Sequence, residues 1–483
     1  MPARRKFILF ELNEVPFRVY RHYADQHPRS AMARLIAHGR RWDTLNEDEG
    51  HLSPWVTWPT LHRGVPNTDH HISSLGQDVA QSNALYPPVW ELLARGGRSV
   101  GMFGSLHTYP MPEPASDYAF YLPDTFANSP EAHPPELSAF QSFNLSMVDL
   151  SGRNVTAETP YKAAIRMLGG ILKLGLRAGT MAKIVRQLAS ERVMPHRAGR
   201  RRTIQSLLSF DLFLHQLVGK TPDAAFYFTN HVASSMHRYW PATFGGDYTQ
   251  TEWKADWSKR FAGEIDYAMG EADAMVADLI AFADRNPDYL LLVTGSMGQA
   301  AVDEDGNQTL TQVLLTDAPR FVKALGVDGA WERRRTMEPM YTFIFAEPAS
   351  ADTFCAALDR FSIAGYKPEF HRLDATGVEL SLGHGNIPDD AMILLLGNVA
   401  MTPEELGIGN VRVQDEVGAA AYHVPEGVLF AYDPQSDGEG RLSRETVATT
   451  RIAPTLLAMQ GVARPDYMRE PIEDLVRGEP VLA

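Results

Sequence analysis

Four short apolar runs set the strongest limit on how this chain folds. Phe7–Leu12 opens with the uncharged Phe-Ile-Leu-Phe, Ala224–Phe228 and Tyr289–Val293 carry no charge at all, and Gly427–Phe430 closes the series. Each is too short for a stable helix and lacks the polar alternation of a half-exposed strand. Runs of this kind are strands of a parallel sheet covered on both faces. Between and beyond them lie helical patterns at Pro28–His38, Trp90–Arg95, Thr203–Val218, Glu264–Ala283 and Ile452–Met459, with a further strand at Ser99–Phe103. Ser53-Pro54 reads as the start of a short helix, Ser being a good N-cap and Pro suiting the first helical position. The alternation predicts an α/β fold, a mostly parallel central sheet flanked by helices.

The core divides as 1–110, 216–320 and 411–483. The stretches 111–215 and 321–410 are insertions, expected to form a cap over the sheet. The first begins with a proline-rich excursion at 110–160 and continues with a helical pattern at Tyr161–Arg192. The second reads as strand–helix–strand over Tyr341–Phe345, Ala351–Ile363 and Glu369–Leu373, with a strand at Met392–Leu396. The first insertion also carries a basic cluster, Arg192, His196, Arg197 and Arg200–Arg202, and a stretch with Lys162, Arg166, Lys173, Arg177, Lys183 and Arg186. Contact with an anionic membrane surface or a glycan is one reading, and a solvated helix face packed on the core is the preferred one.

Charge excludes one class of partner. With 45 Lys+Arg against 59 Asp+Glu, a formal −14, the 483-residue chain is not built as a general nucleic-acid binder. Its single cysteine, Cys355, forms no internal disulfide. No segment reaches the length of a membrane helix, and Phe7–Phe10 is too short for the apolar region of a signal peptide, so a cytoplasmic location is expected.

Four segments hold groups suited to chemistry. Glu11-Leu12-Asn13-Glu14 lies just past the first strand, where ligands of open α/β sheets bind, and it reads otherwise as a polar loop. Ser53 to His71 offers hydroxyls at a helix start, which favours anions, together with His62, His70 and His71; the plain alternative is a capped, aromatic-packed helix. His231 and His237 follow the strand Ala224–Phe228, and paired imidazoles suit zinc and related ions. His423 precedes the last strand, in Tyr-His-Val-Pro-Glu-Gly.

The order of these segments resembles the alkaline-phosphatase superfamily, nearest its type I phosphodiesterase/nucleotide-pyrophosphatase branch. Thr60-Leu61-His62-Arg63-Gly64-Val65-Pro66 through His70-His71-Ile72 resembles that family's Thr-Gly…Pro…His-Gly-Ile signature. Val293-Thr294-Gly295-Ser296-Met297-Gly298 stands where Ser-Asp-His-Gly is usual, and Ala453-Pro454-Thr455-Leu456-Leu457 through Gly461 matches the terminal helix. The resemblance implies two metal ions with a Thr or Ser nucleophile between them. One ion would sit at the positions of Ala233, His237 and His423, the other at Glu11, Ser296 and Met297. Both histidines of the first site are present, whereas Ala233 replaces an aspartate, and Ser296-Met297 replaces an Asp-His pair.

At most one divalent ion, zinc or manganese, is therefore expected, held by His237 and His423 with His231, Asn230 or Glu11 completing the shell. Ungapped counting puts Pro54 at the nucleophile position. Ser53, one residue away, and Thr57, in a local Thr-x-Pro, are the two candidate hydroxyls, with a histidine such as His62 or His70 as acid–base. The expected activity is hydrolysis or transfer of a phosphate, phosphodiester or sulfate ester on a small anionic ester or glycan substrate. The alternatives are a non-catalytic descendant that binds an anionic ligand or partner, and a transferase acting on a glycan or lipid carrier.

Overall fold

The central sheet takes β1 (Lys6–Leu12), β2 (Arg40–Leu45), β3 (Val100–Phe103), β4 (Phe120–Leu122), β5 (Ala224–Thr229) and β6 (Tyr289–Thr294), then the strand Glu426–Tyr432 and two short strands near the C-terminal end. The computed structural model describes residues 4–150, 174–249, 255–302, 309–337, 339–413, 420–436, 441–443 and 445–477. Across the sheet β6, β1, β5, β3 and β4 run parallel in that order, and Glu426–Tyr432 lies antiparallel between β6 and β2. The mostly parallel α/β architecture is thus the one that the apolar runs demand.

Alternation along β1 divides the core into two layers. Ile8, Phe10 and Leu12 face Tyr227, Val293 and the helix Glu264–Arg285, with Phe10 stacked on Tyr227 at 5.6 Å. Phe7 and Leu9 face Trp42, Trp58, Trp90 and Phe226. Glu11 shares the parity of Phe7 and Leu9, so its carboxylate points at the helix Pro54–Arg63. A third core, including Val313, Phe321, Phe343, Phe354 and Leu406, serves the smaller sheets built from residues 311–412.

The helix Pro54–Arg63 begins as expected, with Ser53 at the N-cap and Pro54 in the first turn, and ends at Gly64 in the left-handed region (φ 67°). Pro59 inside it removes the N–H that would bond the carbonyl of Trp55. That carbonyl is taken instead by His107 Nε2 at 2.8 Å.

Some elements differ from the sequence expectation. The stretch 110–160 contains an edge strand, β4, and the helix Ser138–Leu150, because its prolines flank these elements rather than interrupt them. β2 was not anticipated: only Trp42 and Thr44 point inward from a charged segment. The helix expected over Ala351–Ile363 is Pro348–Leu358, after which Phe361–Ile363 pairs as a strand. Of the pattern at Tyr161–Arg192, residues 161–173 lie outside the described residues, and the remainder belongs to the helix Ala178–Val193. Cations there pair within the chain: Arg200 with Glu264 and Arg201 with Glu191, both at 2.7 Å. No helix among the described residues is long and apolar enough to cross a membrane.

Phe226 sits at the middle of β5 against Phe7 and Trp90 with no exposure. Phe226→Ala is expected to cost about 3–5 kcal/mol of stability in denaturant unfolding, with no change in the folded far-UV spectrum.

Candidate metal centre

Past the end of β1 the backbone turns sharply. Asn13 N–H still donates to the Thr229 carbonyl at 3.1 Å, and Glu14 takes a left-handed conformation at φ 62°, uncommon for a side chain of its kind. This turns the Glu14 carboxylate away from the Glu11 side. Its Oε1 accepts from Asn13 Nδ2 at 2.7 Å. Its Oε2 lies 3.0 Å from His237 Nε2 and 3.3 Å from His423 Nε2, and it also accepts from the Gln299 amide.

Each imidazole is fixed from behind. His237 lies in the helix His231–Thr243, which contains Pro241. Pro241 has no N–H for the carbonyl of His237, four residues earlier. The N–H of Ala420 occupies that carbonyl at 2.7 Å, and the carbonyl of the adjacent Ala421 accepts from His237 Nδ1 at 2.7 Å. The strand Ala421–Val424 then pairs antiparallel with Gly298–Ala301, setting His423 opposite Gln299. His423 Nδ1 donates to the Leu52 carbonyl at 2.7 Å. Gln299 also donates to the Ala233 carbonyl at 3.3 Å, so the carboxylate of Glu14 stands on the side where Ala233 offers none.

Because both Nδ1 atoms face carbonyls, both must carry a proton. Two neutral rings would therefore aim their Nε2 lone pairs at one carboxylate oxygen, so a proton or a cation must lie between them. Two ligands about 2.0–2.1 Å from one ion in tetrahedral arrangement stand about 3.3 Å apart, close to the spacings found. Glu14, His237 and His423 are the group of three possible ligands found among the described residues, with donor atoms within 4.8 Å of one another. Backbone carbonyls holding Nδ1 are the usual support for histidine ligands. The residues therefore fit a divalent ion. Electrostatics agree: burial would raise the Glu14 carboxyl, but the charges of His423 and His237 outweigh it and hold the group well below 4.5. Burial likewise pulls His423 down, and Glu14 with the Leu52 carbonyl lifts it above 6.5.

Of the residues singled out in the sequence, the structure brings His237 and His423 together. Glu11 is elsewhere: its two oxygens accept from His62 Nε2 at 2.8 Å and Ser105 Oγ at 2.7 Å, and both Glu11 and His62 are fully buried. His231 lines the nearby cavity, but its nitrogens lie 2.7 Å from Thr229 Oγ1 and 3.1 Å from the Ala268 carbonyl, and burial lowers it to about 4. Thr57 Oγ1 is enclosed between Ser296 Oγ at 2.7 Å and the Ser53 carbonyl. Ser53 stands between Leu52, which anchors His423, and Pro54, which lines the cavity. Glu14 and Gln299 carry roles that residue type alone did not reveal. The one available signal was the position of Glu14 just beyond a central strand.

The centre opens on a cavity of about 850 Å³. Asn230, Arg238 and Tyr422 stand on its wall beside the two histidines, and Trp55, Leu122 and Phe126 supply apolar surface.

No family model matches the chain, and no curated protein matches it. Among solved structures, an inactive variant of murine ectonucleotide pyrophosphatase/phosphodiesterase 5 in complex with AMP aligns at 11% identity over 98% of this chain and 99% of its own, with a TM-score of 0.40. Wild-type alkaline phosphatase PafA aligns at 10% identity over 99% of both chains, with a TM-score of 0.45. Phosphonoacetate hydrolase from Sinorhizobium meliloti in complex with phosphonoacetate aligns at 13% identity over 96% of both, with a TM-score of 0.40. All three are alkaline-phosphatase-superfamily proteins.

Pro241→Ala restores a helix N–H that competes with Ala420 for the His237 carbonyl. Metal affinity is expected to fall about tenfold, as for other second-layer changes, with helix content retained; titration against a chelator of known affinity measures it. In metal-free protein the Glu14–His423 pair stabilises the fold most between pH 4.5 and 6.5. Its contribution is lost below that window as Glu14 takes a proton, and above it as His423 releases one. The melting-temperature gap between chelated wild type and Glu14→Gln, followed against pH, should peak inside the window.

Proposed function

We propose that the chain is a divergent member of the alkaline-phosphatase superfamily that hydrolyses or transfers a phosphate, phosphodiester or sulfate ester with a single divalent ion. The observation that carries this reading is the convergence of Glu14, His237 and His423 on one point at the edge of the cavity, both imidazoles anchored through Nδ1. Two nitrogens and one carboxylate oxygen suit zinc or manganese. When bound, such an ion supplies Lewis acidity toward an anionic ester oxygen.

The chain's own groups do the rest. Arg238, next to His237 on the cavity wall, offers a guanidinium to non-bridging oxygens. Ser53 makes no side-chain cap bond with the helix that it precedes and is the hydroxyl that we assign to attack. Thr57 and the Glu11–His62 pair brace that helix from its buried side and hold Ser53 in place. Cys355 as the lone cysteine suits a reducing compartment, and we place the protein in the cytoplasm.

A second reading, an anion-binding protein without turnover, draws on the other ligand positions of the resemblance. Ser296 there bonds Thr57, and Met297 is fully buried.

Elemental analysis of protein purified without chelator, followed by a panel of phosphate and sulfate esters, separates the two. One zinc or manganese per chain is expected, lost in both His237→Ala and His423→Ala. Ser53→Ala should keep the metal and lose about a thousandfold in turnover, while Thr57→Ala, which loosens the support of Ser53 without removing the attacking hydroxyl, should lose stability and a much smaller share of turnover. Absence of bound metal and of any hydrolysis leaves the binding reading.

A further inference from the structure

Among the described residues, arginines dominate the charged groups on the cavity wall. The chain carries a formal −14, yet the described cavity wall holds five arginines against two glutamates and neither lysine nor aspartate. One arginine, Arg238, belongs to the centre. The other four, Arg202 and the consecutive Arg333, Arg334 and Arg335, stand on the wall contributed by the insertions. Trp331–Arg334 is an edge strand, pairing among the described residues only with Met340–Phe345 in its four-stranded sheet, and Arg333–Arg335 at its end line the cavity.

Its placement is fixed at the far side of the central sheet. Arg335 Nη1 donates to the Ala127 carbonyl at 2.8 Å, in the loop that follows β4. Arg334 pairs with Glu332. Arg333 lies over the ring of Tyr341 at 4.8 Å. Because β1, β5, β3 and β4 are parallel neighbours, the loops after β1 and β4 leave the same edge of the sheet three strand spacings apart, about 14 Å at roughly 4.8 Å each. Glu14 follows β1, and Arg335 is bonded to the loop that follows β4. Like charges gathered on a concave wall repel one another and raise the local concentration of anions.

Resting on the ester reading above, we infer that the ligand carries two anionic groups, one engaged at Glu14, His237 and His423 and the other held across the cavity by Arg333–Arg335 with Arg202. Apolar surface from Leu122, Phe126 and Trp55 lines the wall of the same cavity, which suits a carbon linker between the two charges. The substrate class is thus an ester with a remote phosphate, sulfate or carboxylate, not one with a neutral remainder.

The test uses the full chain loaded with zinc and two ligands with no ester bond to break: octylphosphonate, anionic at one end, and octane bisphosphonate, anionic at both. Calorimetric titration is expected to show the bisphosphonate binding at least about tenfold tighter, beyond the about twofold advantage of having two equivalent ends. Arg333→Gln and Arg202→Gln, at exposed and half-buried positions, should each lower the bisphosphonate's affinity and reduce that ratio. Removing zinc should weaken both ligands. If octylphosphonate binds in a zinc-dependent way and the bisphosphonate gains no more than about twofold, the second anionic group is wrong while the ester reading stands. If neither ligand binds with zinc present, both readings fall together.

Discussion

A strand hydrogen-bonded along both edges cannot slip, and β1, held in register by β5 and β6, is such a strand. The two carboxylates at its carboxyl end organise what surrounds them. Glu11 turns inward by strand parity and meets His62, which ties the helix Pro54–Arg63 to the sheet. Three residues on, the left-handed turn at Glu14 sends a second carboxylate the other way, toward the cavity. One stretch of four residues thus serves both the scaffold and the centre, and the division of labour follows from which way each carboxylate points.

The backbone at Glu14 costs about 1–2 kcal/mol in that conformation. It is offset by donors that a strand-like Glu14 would not reach: Asn13, Gln299 and the two histidines. Prolines inside helices are put to similar use. Pro59 and Pro241 each leave one carbonyl without a helical partner, and each orphan is taken up by a distant element, His107 in one case and Ala420 in the other. In the second case the borrowed strand returns the bond through Ala421 and carries His423 into position. A local defect in the helix becomes the joint between two ligand-bearing segments.

The buried strands were legible in the sequence because a parallel strand covered on both faces has little room for charge, so the uncharged Phe7–Phe10, Ala224–Phe228 and Tyr289–Val293 stand out. The helix Ile452–Met459 was legible for its apolar content and the glycine that follows. β2 was not, since two inward residues in Arg-Arg-Trp-Asp-Thr-Leu do not make a pattern, and the helix Ser138–Leu150 was obscured by the prolines ahead of it. For the centre, His237 and His423 were legible through the order of segments. Glu14 was not distinguishable from Glu11, because both lie about the carboxyl end of the same strand, and only strand parity at position 11 and the backbone angle at position 14 separate their fates. The arginine run at Arg333–Arg335 carried no sign of facing the same cavity, since that depends on how an insertion folds back over the sheet.

The three donors of the centre come from the turn after the first strand, a mid-chain helix and the short strand Ala421–Val424 late in the chain. A chain emerging in order therefore has no centre until residue 423 is available, long after Glu14 and His237 have been made. Once an ion is held, it closes loops that span nearly the whole polypeptide, restricting the unfolded chain as a cross-link would. Occupancy of this one small site is thus a report on whether the entire domain has reached its final connectivity.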